Sequence, residues 1–467
     1  MATTKQFHIA PMLDVSTTEF LHFVRILSKR CILWTEMIVD ETLWYSQDVD
    51  HHLSFSKELS PIICQIGGRT PEYIAKGVEQ MEMYGYDEVN LNIDCPSSRV
   101  SGKRKFGAIL MHDKETAYEV VQAMNENTKE IPISVKTRVG IELEDGEAFD
   151  TMDHLIGFIE DLRSRGCYKF YIHARKCVIG GLSPAQNRLV PPLNYPRVYE
   201  LCNNFPDCEF ILNGGIPGLA ASKLICKDVG EETNSNCESS IKMQEHVVPC
   251  KVCNASNGSC TVPPNITPPN LTGVMLGRAV MDNPSMFWDI DRYFYGEANN
   301  PCKNRRQVLE QYCDFLNSIY SRRCCDSEET VTSKIPSPKF QMFVESGGCN
   351  ICKSYHGEPK YITNPTEINK STGSKMKITS RVIDRSLRPI LGIFFGCRMN
   401  KGFRRECDRL SRDKSIRNCG PAFIIKKAIS TMPAELLDMP FTKTEDIDNS
   451  SLNVFVGPTL DGCQTFP

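Results

Sequence analysis

The chain has 467 residues and a formal net charge of −3. This length exceeds what one hydrophobic core usually serves, and a hydrophobic content of 41% is enough to form two cores. No apolar run is long enough to cross a bilayer, and strand-like sequence begins by Phe7, so we expect a cytoplasmic protein without a signal peptide or membrane contact. The 22 cysteines are scattered along the chain, which favours free thiols over a disulfide framework.

Eight short apolar segments in the first 300 residues each end in a polar or glycine-bearing loop. In chain order they are Phe7–Ala10, Leu33–Ile38, Ile62–Ile66, Glu88–Ile93, Ile133–Arg138, Lys169–His173, Glu209–Leu212 and Gly273–Leu276. The stretches between them carry apolar residues at three- and four-residue spacing, which is typical of helices. The clearest are Pro71–Tyr84, Lys114–Asn127, Phe149–Arg165 and Tyr195–Phe205. Eight alternations of strand and helix predict an α/β fold of the (β/α)8 TIM barrel type.

Two polar segments interrupt this order: residues 226–272, between the seventh and eighth predicted strands, and residues 324–380. Their compositions are poor for a core and predict surface insertions. Each contains a Cys-x-x-Cys pair, which is Cys250/Cys253 in the first and Cys349/Cys352 in the second. Neither pair comes with an unambiguous set of four ligands, so we predict no metal site.

The carboxyl-terminal part of the chain is basic, although the whole chain is slightly acidic. Residues 301–467 hold 26 Lys and Arg against 18 Asp and Glu, whereas residues 1–300 hold 28 against 39. A basic surplus attracts a polyanion through Coulombic steering and counterion release. A solvated helical surface is the alternative interpretation.

The segment Asn90-Leu-Asn-Ile-Asp-Cys95-Pro-Ser-Ser-Arg99 places one thiol where a predicted strand gives way to a loop. Glu88–Ile93 alternates as a strand does, and Pro96 ends it by removing an amide donor and fixing its own dihedral angle. Cys95 therefore lies at the carboxyl end of a strand, where a barrel enzyme holds its chemistry. A free cysteine alone is more often an inert core residue, so its interpretation depends on its neighbours.

The carboxyl ends of the other predicted strands also carry polar groups or glycines, and a barrel brings those ends to one face. In strand order these residues are Pro11, Met12 and Leu13, then Gln65, Asn92 with Cys95, Lys136, His173 with Arg175, Asn213 with Gly214 and Gly215, and Gly277 with Arg278. The last two sets follow strands seven and eight, where barrels commonly bind a phosphate through glycine amides. Arg278 adds a charge-assisted clamp, so we predict a phosphate site there.

These segments resemble the flavin-dependent tRNA-dihydrouridine synthases, closest to the bacterial DusA branch. The motifs follow the family's order and spacing over nearly all of residues 7–225 and 273–297, and the resemblance resumes weakly at residues 388–396 and 402–406. They are Ala10-Pro-Met-Leu-Asp14, Thr35-Glu-Met37, Gln65-Ile-Gly-Gly68, Asn90–Ser97, Val135-Lys-Thr-Arg138, Ile172-His-Ala-Arg-Lys176, Gly181-Leu-Ser-Pro184, Asn213-Gly-Gly215 and Gly277-Arg278. The resemblance implies an FMN-binding barrel over residues 1–300, a small basic all-helical tRNA-binding domain over residues 301–430, and a tail over residues 431–467.

The resemblance also implies a reaction. Reduced FMN passes hydride to C6 of a uridine in the tRNA D-loop, at U20 or U20a, while Cys95 protonates C5. An unperturbed thiol is largely protonated at neutral pH, as a general acid must be. The reductant implied is NADPH as a transient visitor, because no G-x-G-x-x-G fingerprint of a resident dinucleotide domain is present. The implied flavin contacts are Pro11, Met12, Leu13, Gln65, Lys136, His173, Asn213, Gly214, Gly215, Gly277 and Arg278.

Contacts with tRNA are implied as well. The uracil has to leave its stack to enter a pocket, and Asn92 is expected to read its edge. Further candidate contacts lie in the loop after the sixth strand and in the basic domain. They are Arg175, Asn187, Arg188, Arg404 and Arg405.

Asp94 departs from the family pattern, which has a glycine before the acid cysteine, and Ile109 replaces a common cysteine. A carboxylate at position 94 raises the pKa of the thiol if it faces the pocket. If it points outward, the substitution has no effect on the thiol. Two alternatives therefore stay open. One is a flavin barrel acting on a free pyrimidine, as dihydroorotate and dihydropyrimidine dehydrogenases do, although the basic domain argues against it. The other is a tRNA-binding protein whose catalysis is impaired by Asp94 or by the insertions.

Overall fold

The computed structural model describes residues 5–226, 267–320 and 378–444. Their strands are β1 Gln6–Ile9, β2 Leu33–Trp34, β3 Ile38–Val39, β4 Ile62–Gly67, β5 Glu88–Ile93, β6 Ile133–Arg138, β7 Ile141–Glu142, β8 Ala148–Phe149, β9 Lys169–His173, β10 Cys177–Val178, β11 Glu209–Asn213 and β12 Leu271–Leu276. The main sheet is parallel and runs in the order β1-β12-β11-β9-β6-β5-β4-β2, while β7, β8 and β10 form a small separate sheet.

Hydrogen bonds between the first strand and the start of the second close the main sheet into a barrel. The amide of Ile32 donates to the carbonyl of Phe7 at 2.8 Å, and the amide of Ile9 donates to the carbonyl of Ile32 at 2.9 Å. His8 and Ile32 form a parallel bridge at the same place. The predicted (β/α)8 barrel is confirmed.

The predicted strand Leu33–Ile38 is split into β2 and β3 by a side chain. The hydroxyl of Thr35 accepts from the amide of Gln65 at 3.1 Å, a bond that a strand carbonyl would otherwise make. The chain leaves the ladder there and returns to pair with β4 at Ile38. Three other predicted strands, β5, β6 and β9, have the predicted bounds.

Helices surround the barrel and continue into the carboxyl-terminal part. They are α1 Thr18–Leu27, α2 Asp40–Tyr45, α3 Asp50–Leu53, α4 Pro71–Met83, α5 Lys114–Asn127, α6 Met152–Ser164, α7 Tyr195–Asn204, α8 Leu219–Ile225, α9 Arg278–Asp282, α10 Arg305–Tyr320, α11 Ser380–Leu387, α12 Asn400–Arg412, α13 Lys414–Arg417, α14 Pro421–Ile429 and α15 Ala434–Asp438. The predicted helix Phe149–Arg165 begins only at Met152, because Thr151 caps it by accepting from the amide of His154.

The hydrophobic core has separate clusters for the barrel and for the carboxyl-terminal helices. Inside the barrel, Trp34 and Tyr171 pack edge to face with ring centroids 4.6 Å apart. The helical cluster includes one face of α1, where Phe23 packs against Tyr312 with centroids 5.3 Å apart. Another face of α1, with Phe20, Leu21 and Val24, packs in the barrel cluster, so this helix joins the two cores.

Parts of the predicted organisation lie outside the described residues. These are most of the insertions 226–272 and 324–380, both Cys-x-x-Cys pairs, and residues 445–467 of the predicted tail. Among the helices of the described ranges, none has the length and apolar character needed to span a membrane.

Candidate active site

The carboxyl ends of five neighbouring barrel strands form one arc at the mouth of the barrel. In the sheet register Asn92 lies opposite Lys136, and Arg138 lies opposite His173. Asn213 is the next partner of His173. Because β5, β6, β9, β11 and β12 are consecutive in the sheet, side chains far apart in sequence meet here.

Asn92 holds the loop that carries Cys95. Its side-chain oxygen accepts from the backbone amides of Asp94 at 3.2 Å and Cys95 at 3.0 Å. Its Nδ2 donates to Oε1 of Gln65 at 2.9 Å. The oxygen is therefore engaged, and only one N–H of the amide is left for a ligand. The arrangement makes Asn92 a support of the thiol loop, and reading of the uracil edge stays a prediction for that one N–H.

The chain after Cys95 folds back on the carbonyl of this residue. Oγ of Ser101 donates to that oxygen at 2.8 Å, and the amide of Ala108 donates to it at 3.0 Å. Gly107 has a φ of +73°, and a Cβ built there would lie 2.8 Å from the same oxygen. Glycine is required at this position because other residues are strained in the left-handed region and would clash. Anchoring on two sides fixes the direction of the thiol.

Asp94 faces into the barrel mouth. Its carboxylate pairs with Nζ of Lys136 and accepts from Nε of Arg138 at 2.7 Å. Nδ1 of His173 lies 3.3 Å from the oxygen that accepts from Arg138. Burial raises the pKa of Asp94, but the charges of Lys136 and Arg138 outweigh this effect and hold the pKa well below its ordinary value. Asp94 is therefore ionised at neutral pH, and of the two orientations that the sequence left open, the inward one is present.

The protonation states of Cys95 and His173 follow from burial. Burial raises the pKa of the Cys95 thiol, and the charge of Asp94 adds to the effect. Burial also lowers the pKa of His173 to about 4. At pH 7 the mouth therefore holds a protonated thiol and a neutral imidazole beside one carboxylate and two cations.

Arg138 is a site residue that the sequence reasoning missed. Besides its bond to Asp94, its Nη1 donates to the carbonyls of Lys176 at 3.2 Å and Asn187 at 3.0 Å. The signal was present, because residues two apart on a strand share a face and Lys136 was predicted to face the mouth. Arg138 links the strand ends to the loop that follows β9.

The loop after β9 carries three predicted tRNA contacts, which the structure places differently. Asn187 is buried, and its amide exchanges two bonds of 2.8 Å with the backbone of Val178. The side chain of Asn187 therefore holds the loop, and its contact with tRNA stays a prediction. Arg175 donates to carbonyls of the same loop. Arg188 is exposed, and its carbonyl accepts from the exposed Arg278 at 3.3 Å.

Two glycine-bearing loops lie at the ends of β11 and β12. Gly214 and Gly215 have φ values of +112° and +67°, which glycine alone adopts without strain. The hydroxyl of Tyr195 donates to the carbonyl of Gly214 at 2.6 Å, and a Cβ built at Gly215 would overlap with Cδ1 of Leu193. Nδ2 of Asn213 donates to a carbonyl of β12 at 2.9 Å, which ties the two loops together.

The loop after β1 lies beside the loop after β12. A Cβ built at Gly277 would lie 3.4 Å from Sδ of Met12. Pro11 and Met12 are partly buried, whereas the side chain of Leu13 is 73% exposed. Met12 is thus placed beside the glycine loop of β12, and Leu13 is exposed to solvent.

A cleft of about 440 Å³ lies between the barrel and the carboxyl-terminal helices. Nη1 of Arg388 donates to the carbonyl of Asp14 at 2.8 Å across it. Arg404 donates to the carbonyl of Leu391 at 2.8 Å, and its neighbour Arg405 is exposed. The arginines that line the cleft are Arg381, Arg385, Arg388 and Arg404. The two predicted contacts of the helical part therefore lie on α12, outside the arc.

The residues around the barrel mouth fit a flavin. Lys136 and Gln65 place a buried ammonium and a buried amide inside the mouth. Nε of Arg175 is buried without a hydrogen-bond partner, so a donor remains for an acceptor group of a ligand. Exposed glycine backbone at Gly215 suits a phosphate. One feature is unusual for a site that binds an anion: the ammonium of Lys136 already forms an ion pair with Asp94.

Comparison with known proteins finds clear relatives. The family model described as Dihydrouridine synthase (Dus) matches residues 8–232. A protein of Shewanella oneidensis named tRNA-dihydrouridine(20/20a) synthase is 33% identical over 314 residues, which cover 67% of this chain and 78% of that protein. Proteins of the same name from Salmonella typhi and Escherichia coli are 35% and 34% identical, over 62% and 63% of this chain and 73% and 74% of theirs.

Proposed function

Because the chain belongs to the dihydrouridine synthase family, we propose that it reduces uridine to 5,6-dihydrouridine in the D-loop of tRNA as a flavin-dependent oxidoreductase. The name of its relatives points to positions 20 and 20a. We propose FMN as the flavin and NADPH as its reductant. One observation carries the proposal: the Cys95 loop lies at the barrel mouth beside Lys136 and His173. Asp94, the residue before Cys95, contacts both of these side chains.

Cys95 is proposed as the general acid that protonates C5 of the uracil. Its thiol is protonated at neutral pH, because burial and the neighbouring carboxylate raise its pKa. When bound, the reduced flavin supplies the hydride that adds at C6. Asn92 and Ser101 hold the backbone around Cys95 in one conformation, so that the thiol reaches the base from a fixed direction.

The other predicted residues around the barrel mouth are proposed to hold the flavin. Lys136, Gln65 and His173 face the ring, and the paired charge of Lys136 stabilises negative charge on its reduced form. Met12 packs against the ring, flanked by Pro11 and Leu13. The groups proposed for the phosphate are Asn213, Gly214, Gly215, Gly277 and Arg278.

The carboxyl-terminal helices are proposed to bind tRNA over residues 301–430. A base within folded RNA must leave its stack to reach the mouth, so the rest of the tRNA has to be held elsewhere. The cleft borders the barrel, and its four arginines suit backbone phosphates. Four carboxylates line it as well, namely Asp14, Glu36, Asp384 and Asp408. Arg188, Arg404 and Arg405 are the exposed candidate contacts, and the candidates Arg175 and Asn187 lie in the loop of Arg188. The cysteines of the described ranges are free thiols, as expected of an enzyme that acts in the reducing cytoplasm.

The test is nucleoside mass spectrometry of unmodified tRNA after incubation with the protein, FMN and NADPH. We expect dihydrouridine from the wild type and none from Cys95→Ala, while both proteins are yellow and bind tRNA. Cys397→Ala is the matched control, because Cys397 is a partly exposed thiol of the helical part. It should form dihydrouridine as the wild type does.

The proposal fails if the wild type forms no dihydrouridine in tRNA or if it reduces free uridine equally well. Salt dependence separates these outcomes further. Affinity for tRNA that rests on phosphate contacts must fall steeply between 50 and 200 mM salt, by about three orders of magnitude for six contacts. The affinity for a free base does not depend on salt in this way, because a free base has no phosphates.

A further inference from the structure

We propose that Asp94 is a resident counter-ion of the flavin site, which neutralises one of the two buried cations and thereby limits how tightly the site binds flavin and stabilises its reduced form. The inference rests on the proposed function, since it concerns the same site. It makes Asp94 a positioning residue that acts through Lys136 and Arg138.

The cation pair needs a counter-ion. Lys136 is 3% exposed and Arg138 is 1% exposed, and a buried charge without a partner is costly. In the described part of the chain, Asp94 is the carboxylate that forms ion pairs with both. Arg138 is further fixed by the carbonyls of Lys176 and Asn187, so the pair cannot turn away from the mouth.

The balance of charge around the mouth depends on this one carboxylate. Lys136 and Arg138 contribute two positive charges and Asp94 one negative charge, while the ring of His173 is neutral at pH 7. Over these four side chains the sum is a single positive charge, and removal of the carboxylate makes it more positive. Burial lowers the pKa of Lys136, and the charge of Asp94 opposes this effect. Charges act strongly over a few ångströms in a buried site, so a change of one unit is felt by any anion bound there.

Flavin responds to this charge according to its redox state. The oxidised ring is neutral, whereas the reduced ring is an anion at neutral pH, so a more positive site favours the reduced ring. Pairing with Asp94 therefore lowers the affinity of the site for reduced flavin more than its affinity for oxidised flavin. The same pairing holds Lys136 and Arg138 in place before any flavin binds.

The experiment measures binding and potential, not turnover. Dissociation constants of FMN and of riboflavin are measured with the apoprotein by quenching of flavin fluorescence, and the midpoint potential of bound FMN is measured against a reference dye. We expect Asp94→Asn to bind both ligands more tightly. We expect the reduced flavin to gain at least tenfold more than the oxidised flavin, which moves the potential up by about 30 mV for two electrons. Riboflavin has no phosphate, so its response locates the effect at the ring.

Glu88→Gln is the matched control. Glu88 is a buried carboxylate at the opposite end of β5, where it lies 3.0 Å from Nζ of Lys169 and accepts from the hydroxyl of Tyr171 at 2.9 Å. Its removal disturbs a comparable buried network at the closed end of the barrel. The potential and both dissociation constants should stay at their wild-type values.

Two further variants keep the test decisive. Asp94→Glu keeps the charge and should keep the wild-type potential. Asp94→Gly serves if Asp94→Asn does not fold, with the same expected shift, and loss of folding in both would overturn the inference because the carboxylate would then be structural. Unchanged binding and potential in folded Asp94→Asn would overturn it and leave the proposed function intact. Absence of flavin binding to the wild type would overturn both.

Discussion

Replacing Asn92 by alanine removes the support of the thiol loop. The substitution deprives the amides of Asp94 and Cys95 of their acceptor and Oε1 of Gln65 of a donor. Each buried polar group left without a partner costs about 1–3 kcal/mol. Since Cys95 is only partly buried, water compensates for part of the loss. We expect the free energy of unfolding to fall by about 2–4 kcal/mol.

The same substitution should affect the chemistry more than the folding, because the freed loop no longer directs the thiol. We expect kcat for dihydrouridine formation to fall by about two orders of magnitude with folded protein. The affinity for tRNA should change far less, because it rests on phosphate contacts outside the mouth. Unfolding in urea, followed by circular dichroism, gives the stability. Single-turnover formation of dihydrouridine gives the rate of the chemical step.

Asn270→Ala is the control for a lost asparagine. Nδ2 of Asn270 donates to the carbonyls of Cys202, Phe205 and Cys208 at 2.8–3.0 Å, at the opposite end of the barrel. It should lower stability by a similar amount and leave kcat alone. If both variants lose kcat equally, or if Asn92→Ala keeps it, the positioning argument for Asn92 is refuted.

Three other predictions concern the loop, the pH dependence and the domain contact. Gly107→Ala should lower the free energy of unfolding by about 1–3 kcal/mol and slow the reaction. The reason is that residue 107 has a positive φ and that the new Cβ would lie 2.8 Å from the carbonyl oxygen of Cys95. A variant as stable as the wild type in thermal unfolding would contradict this. The pKa of His173 is about 4 in the folded protein and near 6.5 in the unfolded chain, so the unfolded chain binds the proton first as the pH falls. The free energy of unfolding therefore decreases between pH 6.5 and pH 4, by up to about 1.4 kcal/mol per pH unit. His173→Gln should remove that share of the slope in urea titrations. Tyr320→Phe removes a hydrogen bond of 2.6 Å to the buried carboxylate of Glu19, so the free energy of unfolding should fall by about 1.5–3 kcal/mol. Proteolytic release of the helical part should become faster. An unchanged cleavage rate would show that this contact does not hold the domains together.

Alternation of apolar residues was enough to locate the barrel strands, because a strand and the turn that ends it are encoded locally. Glu88–Ile93 and Ile133–Arg138 have the predicted bounds for this reason. The split of Leu33–Ile38 was not predictable, since it depends on the hydroxyl of Thr35 replacing a carbonyl opposite Gln65. A hydroxyl that takes over a ladder bond leaves no trace in hydrophobic periodicity.

The sequence alone determined which polar residues and glycines follow the strand ends, and hence the family resemblance, because motif spacing follows from strand and loop lengths. It did not determine where loop side chains point. Asp94 turns inward because Lys136, 42 residues later, lies on the neighbouring strand, and Asn187 turns inward because the backbone of Val178 offers it two bonds. Only the folded chain brings these partners together, so only the tertiary structure decided which charges meet at the mouth and which side chains of the loop stay exposed.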